Sequence, residues 1–203
     1  PVPTVRFEVL PPAGVTLRPS PVASAAQLAL SPDGRHLAFV AATKGGPSQV
    51  WVRPLDSVQA QPVTGTEGAS FPFWSPDGQR LGFFAQGKLK TIGLAGGPPQ
   101  SLCDAISGRG GSWSRDGTIL FSASNVSPIL RIASTGGSPV PVTMLPAGVN
   151  EGHRYPSFLP DGRMLVTERV GRLRVIENGV LQPAPISGVP KPVVKDEGGL
   201  MCV

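Results

Sequence analysis

Throughout this chain, short apolar runs alternate with polar positions and are cut by Gly, Pro, Asp and Asn. Examples are His36-Leu37-Ala38-Phe39-Val40, Arg80-Leu81-Gly82-Phe83-Phe84, Thr118-Ile119-Leu120-Phe121 and Met164-Leu165-Val166-Thr167. Period-two alternation rich in β-branched and aromatic residues predicts half-buried strands, and the punctuation predicts tight turns. No window long enough for a stable helix keeps a 3.6-residue period, so the pattern predicts an all-β protein with very little helix.

The runs recur around one tetrapeptide. Ser31-Pro32-Asp33-Gly34 returns as Ser75-Pro76-Asp77-Gly78, Ser114-Arg115-Asp116-Gly117 and Leu159-Pro160-Asp161-Gly162, at spacings of 44, 39 and 45 residues. Proline presets φ for a type I turn, Asp suits the next position, and Gly accepts the positive φ that follows. Asp33, Gly34, Asp77, Gly78, Asp116, Gly117, Asp161 and Gly162 are therefore read as structural, each pair closing a hairpin. A third strand follows in every unit, at 49–53, 88–94, 128–133 and 171–176, and a short fourth near 100–103 and 140–143.

A period of about 40 to 45 residues carrying four short strands is the signature of a β-propeller. One four-stranded antiparallel blade cannot bury its apolar face alone, so neighbouring blades must stack around an axis. The units fall at about 24–65, 66–106, 107–147 and 150–188. Further strands are expected at Thr4–Leu10 and Gly199–Val203. Four blades plus extra edge strands predict a partial or open propeller, whose open sheet edges invite self-association.

Composition narrows the picture. Glycine (26) and proline (24) are abundant, yet 40% of the 203 residues are hydrophobic, which suits a packed core with many turns. The net charge of +5 is dispersed. The densest basic group, Arg163, Arg169, Arg172 and Arg174, is interrupted by Glu168 and has no interleaved aromatics, so it reads as a solvated sheet face and no nucleic-acid partner is expected. Cys103 and Cys202 lack metal-ligand spacing and read as small buried residues. No apolar run is long enough to span a membrane. The chain opens without Met and looks like a piece of something longer.

The order of motifs from about Val5 to Pro160 carries a resemblance. Arg6-Phe7-Glu8, Gln49-Val50-Trp51-Val52-Arg53, Phe73-Trp74-Ser75-Pro76-Asp77-Gly78, Gly96-Gly97-Pro98-Pro99-Gln100 and His153-Arg154-Tyr155-Pro156-Ser157-Phe158 resemble the TolB-like, WD-repeat-like propeller found C-terminal to the kinase domain of bacterial membrane serine/threonine protein kinases. The resemblance implies a non-catalytic sensor or binding module, extracytoplasmic (periplasmic), with a protein or small-molecule ligand and no cofactor. From Phe158 onward the text changes. Leu159-Pro160-Asp161-Gly162-Arg163-Met164-Leu165-Val166-Thr167-Glu168-Arg169, Gly171-Arg172-Leu173-Arg174-Val175 and Glu197-Gly198-Gly199-Leu200-Met201 resemble the opening blade of glucose/sorbosone (aldose sugar) dehydrogenases. That resemblance implies the alternative, a fragment of a dehydrogenase using pyrroloquinoline quinone and calcium. The family's catalytic histidine and its ligand residues lie beyond the stretch, so no catalytic, metal or cofactor-binding residue carries over. The two readings divide the chain at 1–157 and 158–203. Recombination between propellers and an artificial join both fit the shared Phe-Leu-Pro-Asp-Gly-Arg string.

Candidate chemistry is sparse. His36 opens a strand after a turn and is expected at the surface. Glu151, His153, Arg154 and Tyr155 form a polar group placed to line a channel mouth, and they are the candidate binding residues. Asn125-Val126-Ser127 matches a glycosylation sequon. The Gly-rich stretch at Gly108-Arg109-Gly110-Gly111 lacks the strand-to-helix setting of a phosphate loop.

Overall fold

The computed structural model describes residues 10–20, 23–145, 152–159, 161–168, 172–177 and 180–188. The strands expected at Thr4–Leu10, apart from Leu10 itself, and at Gly199–Val203 lie outside them, as does Glu151. The described residues contain strands and no helix.

Four consecutive antiparallel sheets form an open propeller. Blade 1 begins with β1 (Val15–Leu17), the small hairpin β2 (Pro19–Ser20) and β3 (Ala23–Ala26), and β4 (Leu28–Leu30). It continues through β5 (His36–Thr43), β6 (Gln49–Pro54) and β7 (Gln61–Pro62). Blade 2 is β8 (Ser70–Trp74), β9 (Arg80–Ala85), β10 (Lys88–Gly93) and β11 (Gln100–Asp104). Blade 3 is β12 (Gly111–Trp113), β13 (Thr118–Ser122), β14 (Ile129–Ala133) and β15 (Val140–Pro141). Blade 4 is β16 (His153–Phe158), β17 (Met164–Glu168), β18 (Leu173–Glu177) and β19 (Val180–Leu181). The main sheet of blade 1 holds five strands, one more than the repeat predicts, and β2 and β3 form a separate two-stranded sheet. β4 pairs with the first half of the long β5 (Leu28 opposite Phe39), and β1 pairs with its second half on the same edge (Val15 opposite Thr43).

Alternation along the strands gives each inner blade two apolar faces, and both are used. Ala38 and Val50 of blade 1 pack on Trp74, Leu81 and Phe83 of blade 2. Phe73, Phe84 and Leu89 on the other face of blade 2 meet Ile119, Phe121 and Ile132 of blade 3. Leu120 and Ile129 of blade 3 meet Val166 and Ile176 of blade 4. The first-strand aromatics are thus core between blades: Phe73 and Trp74 are each 6% exposed.

The repeated turn works through its side chains. Ser75 Oγ donates to Asp77 Oδ1 at 2.5 Å, and Asp77 Oδ1 accepts from Gln79 N at 3.0 Å. Ser31 and Asp33 make the same pair of bonds. Gly34 and Gly78 follow at φ 71° and 68°, as the turn requires. In blade 3 Asp116 accepts from Ser114 Oγ and Thr118 N, but the strand pair closes at Ser114 and Thr118, one residue earlier than at Ser75 and Arg80. Blade 4 has no serine here. Asp161 instead binds Arg163 through its backbone N–H (3.0 Å) and its guanidinium (2.8 Å to Nε). Gly117 and Gly162 keep the positive φ, at 84° and 87°. Hydrogen bonding, led by the Ser31, Ser75 or Ser114 hydroxyl or by the Arg163 side chain, holds all four carboxyls below the ordinary 3.8.

Candidate functional site: the inner rim of the propeller

The first strands of blades 2 and 4 begin with a bulge at an aromatic followed by proline, Phe71-Pro72 and Tyr155-Pro156. Both aromatics hold φ at 48°, the left-handed region that L side chains seldom adopt. Blade 3 places Gly110 at the same distance before its turn, at φ 89°. This kink turns the chain toward the axis. Phe71 and Tyr155 come from blades that are not neighbours, yet their rings meet edge to face, 5.8 Å apart and 60° inclined. Such a meeting is possible only where the blades converge. Gly110 lies beneath it, and a Cβ there would sit 2.9 Å from Tyr155 Cδ1.

Backbone bonds fix this rim. Tyr155 N donates to Arg109 O at 3.0 Å, and Phe71 N donates to Gln27 Oε1 at 2.7 Å. Gln27 holds the corresponding position in blade 1, so one residue from each blade takes part. Arg109 and Arg154 immediately precede the kink in blades 3 and 4, and each is 5% exposed. A shallow depression of about 180 Å³ opens beside Arg109, lined also by Phe71, Ser70, Ile106 and Ser107 among others.

The sequence candidates separate here. Tyr155 stands at the rim, with Arg154 next to it. His153 is turned away into the contact between blades 3 and 4, where its Nδ1 lies 2.8 Å from Thr143 Oγ1 and its Nε2 lies 3.7 Å from Glu168 Oε1. Thr143 Oγ1 also accepts Ile129 N at 2.9 Å, so one hydroxyl ties the third strand of blade 3 to the His153 ring. Glu168 is engaged by Arg174 (2.9 Å) and Arg172 (2.5 Å). Burial is the main force holding the His153 imidazole below 6.5; Glu168 opposes it and Arg174 adds to it. His36, expected at the surface, is half-buried instead. Its ring packs 6.2 Å from that of Trp74 in the next blade, because the turn delivers it to the junction between blades. Phe71, Gly110 and Gln27 escaped the sequence reading. The aromatic-proline pair at matching repeat positions was the signal available.

Among the described residues no three His, Cys, Asp or Glu side chains gather at one place. The turn aspartates sit in separate blades, and the arginines occupy Glu168. These residues do not fit a calcium site. No helix among the described residues is long and apolar enough to cross a membrane.

The family profile described as Glucose / Sorbosone dehydrogenase matches residues 153–203, about a quarter of the chain. An uncharacterized peptidase, YuxL, of Bacillus subtilis (strain 168) is 30% identical over 145 residues, covering 67% of this chain and 20% of that protein. An uncharacterized protein, slr1608, of Synechocystis sp. is 48% identical over 44 residues, covering 20% of this chain and 11% of that protein. The chain thus spans a fifth or less of the length of these curated relatives. A TolB-type structure from Agrobacterium tumefaciens superposes with a TM-score of 0.66 at 17% identity, over 82% of this chain and 67% of that one. The fold is a TolB-like β-propeller, and the glucose/sorbosone dehydrogenase profile begins on its fourth blade.

Proposed function

We propose that this chain is a non-catalytic binding module, the propeller part of a longer extracytoplasmic protein, which takes a protein or small-molecule ligand at its inner rim. The observation that carries this reading is the convergence of Phe71 and Tyr155 over Gly110, with Arg109 and Arg154 alongside. Aromatic faces with a few fixed polar groups are the usual make-up of a recognition surface. Left-handed backbone at two aromatics is strain of the kind that collects at functional sites. The motif order that resembles kinase-attached propellers supports a sensor role. The peptidase relative, about five times the length of the shared part, supports a module within a larger protein. The unmatched third of the Agrobacterium chain leaves room for two further blades, which supports a six-bladed parent ring.

The test is a thermal-shift screen of peptides and sugars against the wild-type chain and Tyr155→Ala. A ligand at a hundred times its Kd stabilises the folded state by about 2.7 kcal/mol. The wild type is expected to show a hit that Tyr155→Ala loses; hits that ignore Tyr155 would move the site elsewhere.

A second reading, a fragment of a quinone-dependent aldose dehydrogenase, is favoured by the profile match over 153–203. Incubation with pyrroloquinoline quinone, calcium, an aldose and an acceptor dye separates the two. Dye reduction above background would replace the first reading with the second.

A further inference from the structure

The junctions between blades repeat one contact at the turn end of the inner strands, opposite the rim. The residue opening a second strand lies against the aromatic that closes the next blade's first strand. His36 meets Trp74 in this way, and the Arg80 guanidinium lies 5.9 Å from the centre of the Trp113 ring. At the first junction the indole is buried, and its Nε1 donates to Ala29 O at 2.9 Å. At the second, Trp113 is only half-buried, and its indole N–H makes no hydrogen bond among the described residues.

Two departures from the repeat fall on this junction. The turn of blade 3 closes one residue early, and Arg115 stands where Pro32 and Pro76 stand in blades 1 and 2. Between the turns of blades 2 and 3 lies a groove of about 530 Å³, lined by Trp113, Arg80, Arg115, Asp77, Ser114 and Ser134 among others. Arg80 gives one N–H to Thr91 Oγ1 at 3.1 Å, while its Nε is buried without an acceptor. A guanidinium carries five such donors, and their fork matches a carboxylate. Arg115 is exposed and in no ion pair among the described residues. Asp77, the carboxylate in the lining, already accepts from Ser75 Oγ and Gln79 N.

We propose that this groove binds small carboxylic acids, with the carboxylate between Arg80 and Arg115 and the body of the acid against Trp113. Of the charged side chains in the lining, Arg80 and Arg115 outnumber Asp77, which leaves one net positive charge to meet the single charge of a carboxylate. The proposal stands apart from ligand binding at the rim, which lies at the other end of the inner strands.

Calorimetric titration with D-galacturonate and with N-acetyl-alanine, each beside its methyl ester, tests it and tells a sugar acid from a peptide-derived one. At least one acid is expected to bind tenfold or more tightly than its ester. Arg80→Gln and Arg115→Glu should each weaken that binding at least tenfold, and Arg115 is exposed, so its variant tests the charge without disturbing the core. Equal binding of acid and ester, no saturable binding of either acid, tighter binding of inorganic phosphate, or unchanged affinity in Arg115→Glu would overturn the proposal.

Discussion

Burial of His153 between blades 3 and 4 ties one side chain to the pH dependence of the whole chain. Its folded pKa lies below 6.5 chiefly through desolvation, so between that folded value and 6.5 the unfolded chain binds a proton that the folded chain does not. Its contribution to stability is complete above about pH 6.5 and falls as the pH drops through the folded value. The turn aspartates, held below 3.8, lose theirs only at much lower pH. Urea midpoints should therefore fall between pH 7.5 and 5, and His153→Gln should flatten that slope; an unchanged slope in the variant would assign the effect to another group. At the rim, Gly110→Ala places a methyl against Tyr155 at a φ of 89° and should cost about 1–3 kcal/mol. Tyr155 is the only tyrosine in the sequence, so its single set of ring-proton resonances in an NMR spectrum reports the disturbed contact directly. The roles of the turn Asp and Gly residues were legible because they are local. The Phe71–Tyr155 contact was not, since it joins distant repeats through a backbone conformation that aromatic residues disfavour. Nor was the Thr143–His153 bond, which depends on how two blades stack.

At the level of the element, the four turns share one outline while the bonds behind it differ. The Ser75 hydroxyl both donates to Asp77 and accepts Arg80 N at 2.9 Å, so its removal leaves a backbone donor without its partner. Ser114 donates to Asp116 but accepts no such N–H, because its turn closes earlier. Ser75→Ala should then lower stability by about 1 kcal/mol, and Ser114→Ala by less. Equal losses in chemical denaturation would show that the early closure is energetically silent. Second and third strands were readable from their short apolar runs, most plainly in blades 2 and 3, where neighbouring blades fill both faces. β1 was not: Val15-Thr16-Leu17 is too short to announce a strand, and it exists because β5 is long enough to offer an edge beyond β4. The outer strand β15 falls within the expected 140–143, while the equally short β7 is defined by its partner β6.

For the whole molecule the open question of closure becomes a question about one surface. On the outward face of blade 1, Phe39, Ala41 and Trp51 gather with Val15, Leu37 and Ala60, and among the described residues no other blade contributes to the cluster. Leu28 and Leu30 pair with Phe39 and Leu37, so they share that face, and each is 55% exposed. Leu30 holds the position that Trp74, Trp113 and Phe158 hold in the later blades, where the aromatic packs against the blade before it. The Trp51 indole N–H on the same face is buried without an acceptor, while the Trp74 indole finds one across a junction. Phe39, Ala41 and Trp51 are themselves buried, so Leu28 and Leu30 are the exposed apolar part of this face. In isolation the chain should then associate through it, with an apparent mass in light scattering that rises with concentration. Leu28→Glu combined with Leu30→Glu should return it to a monomer with little loss of stability, since both side chains are already half in water. A chain that stays monomeric up to high concentration, or one whose association ignores the double substitution, would show that blade 1 is closed by some other means.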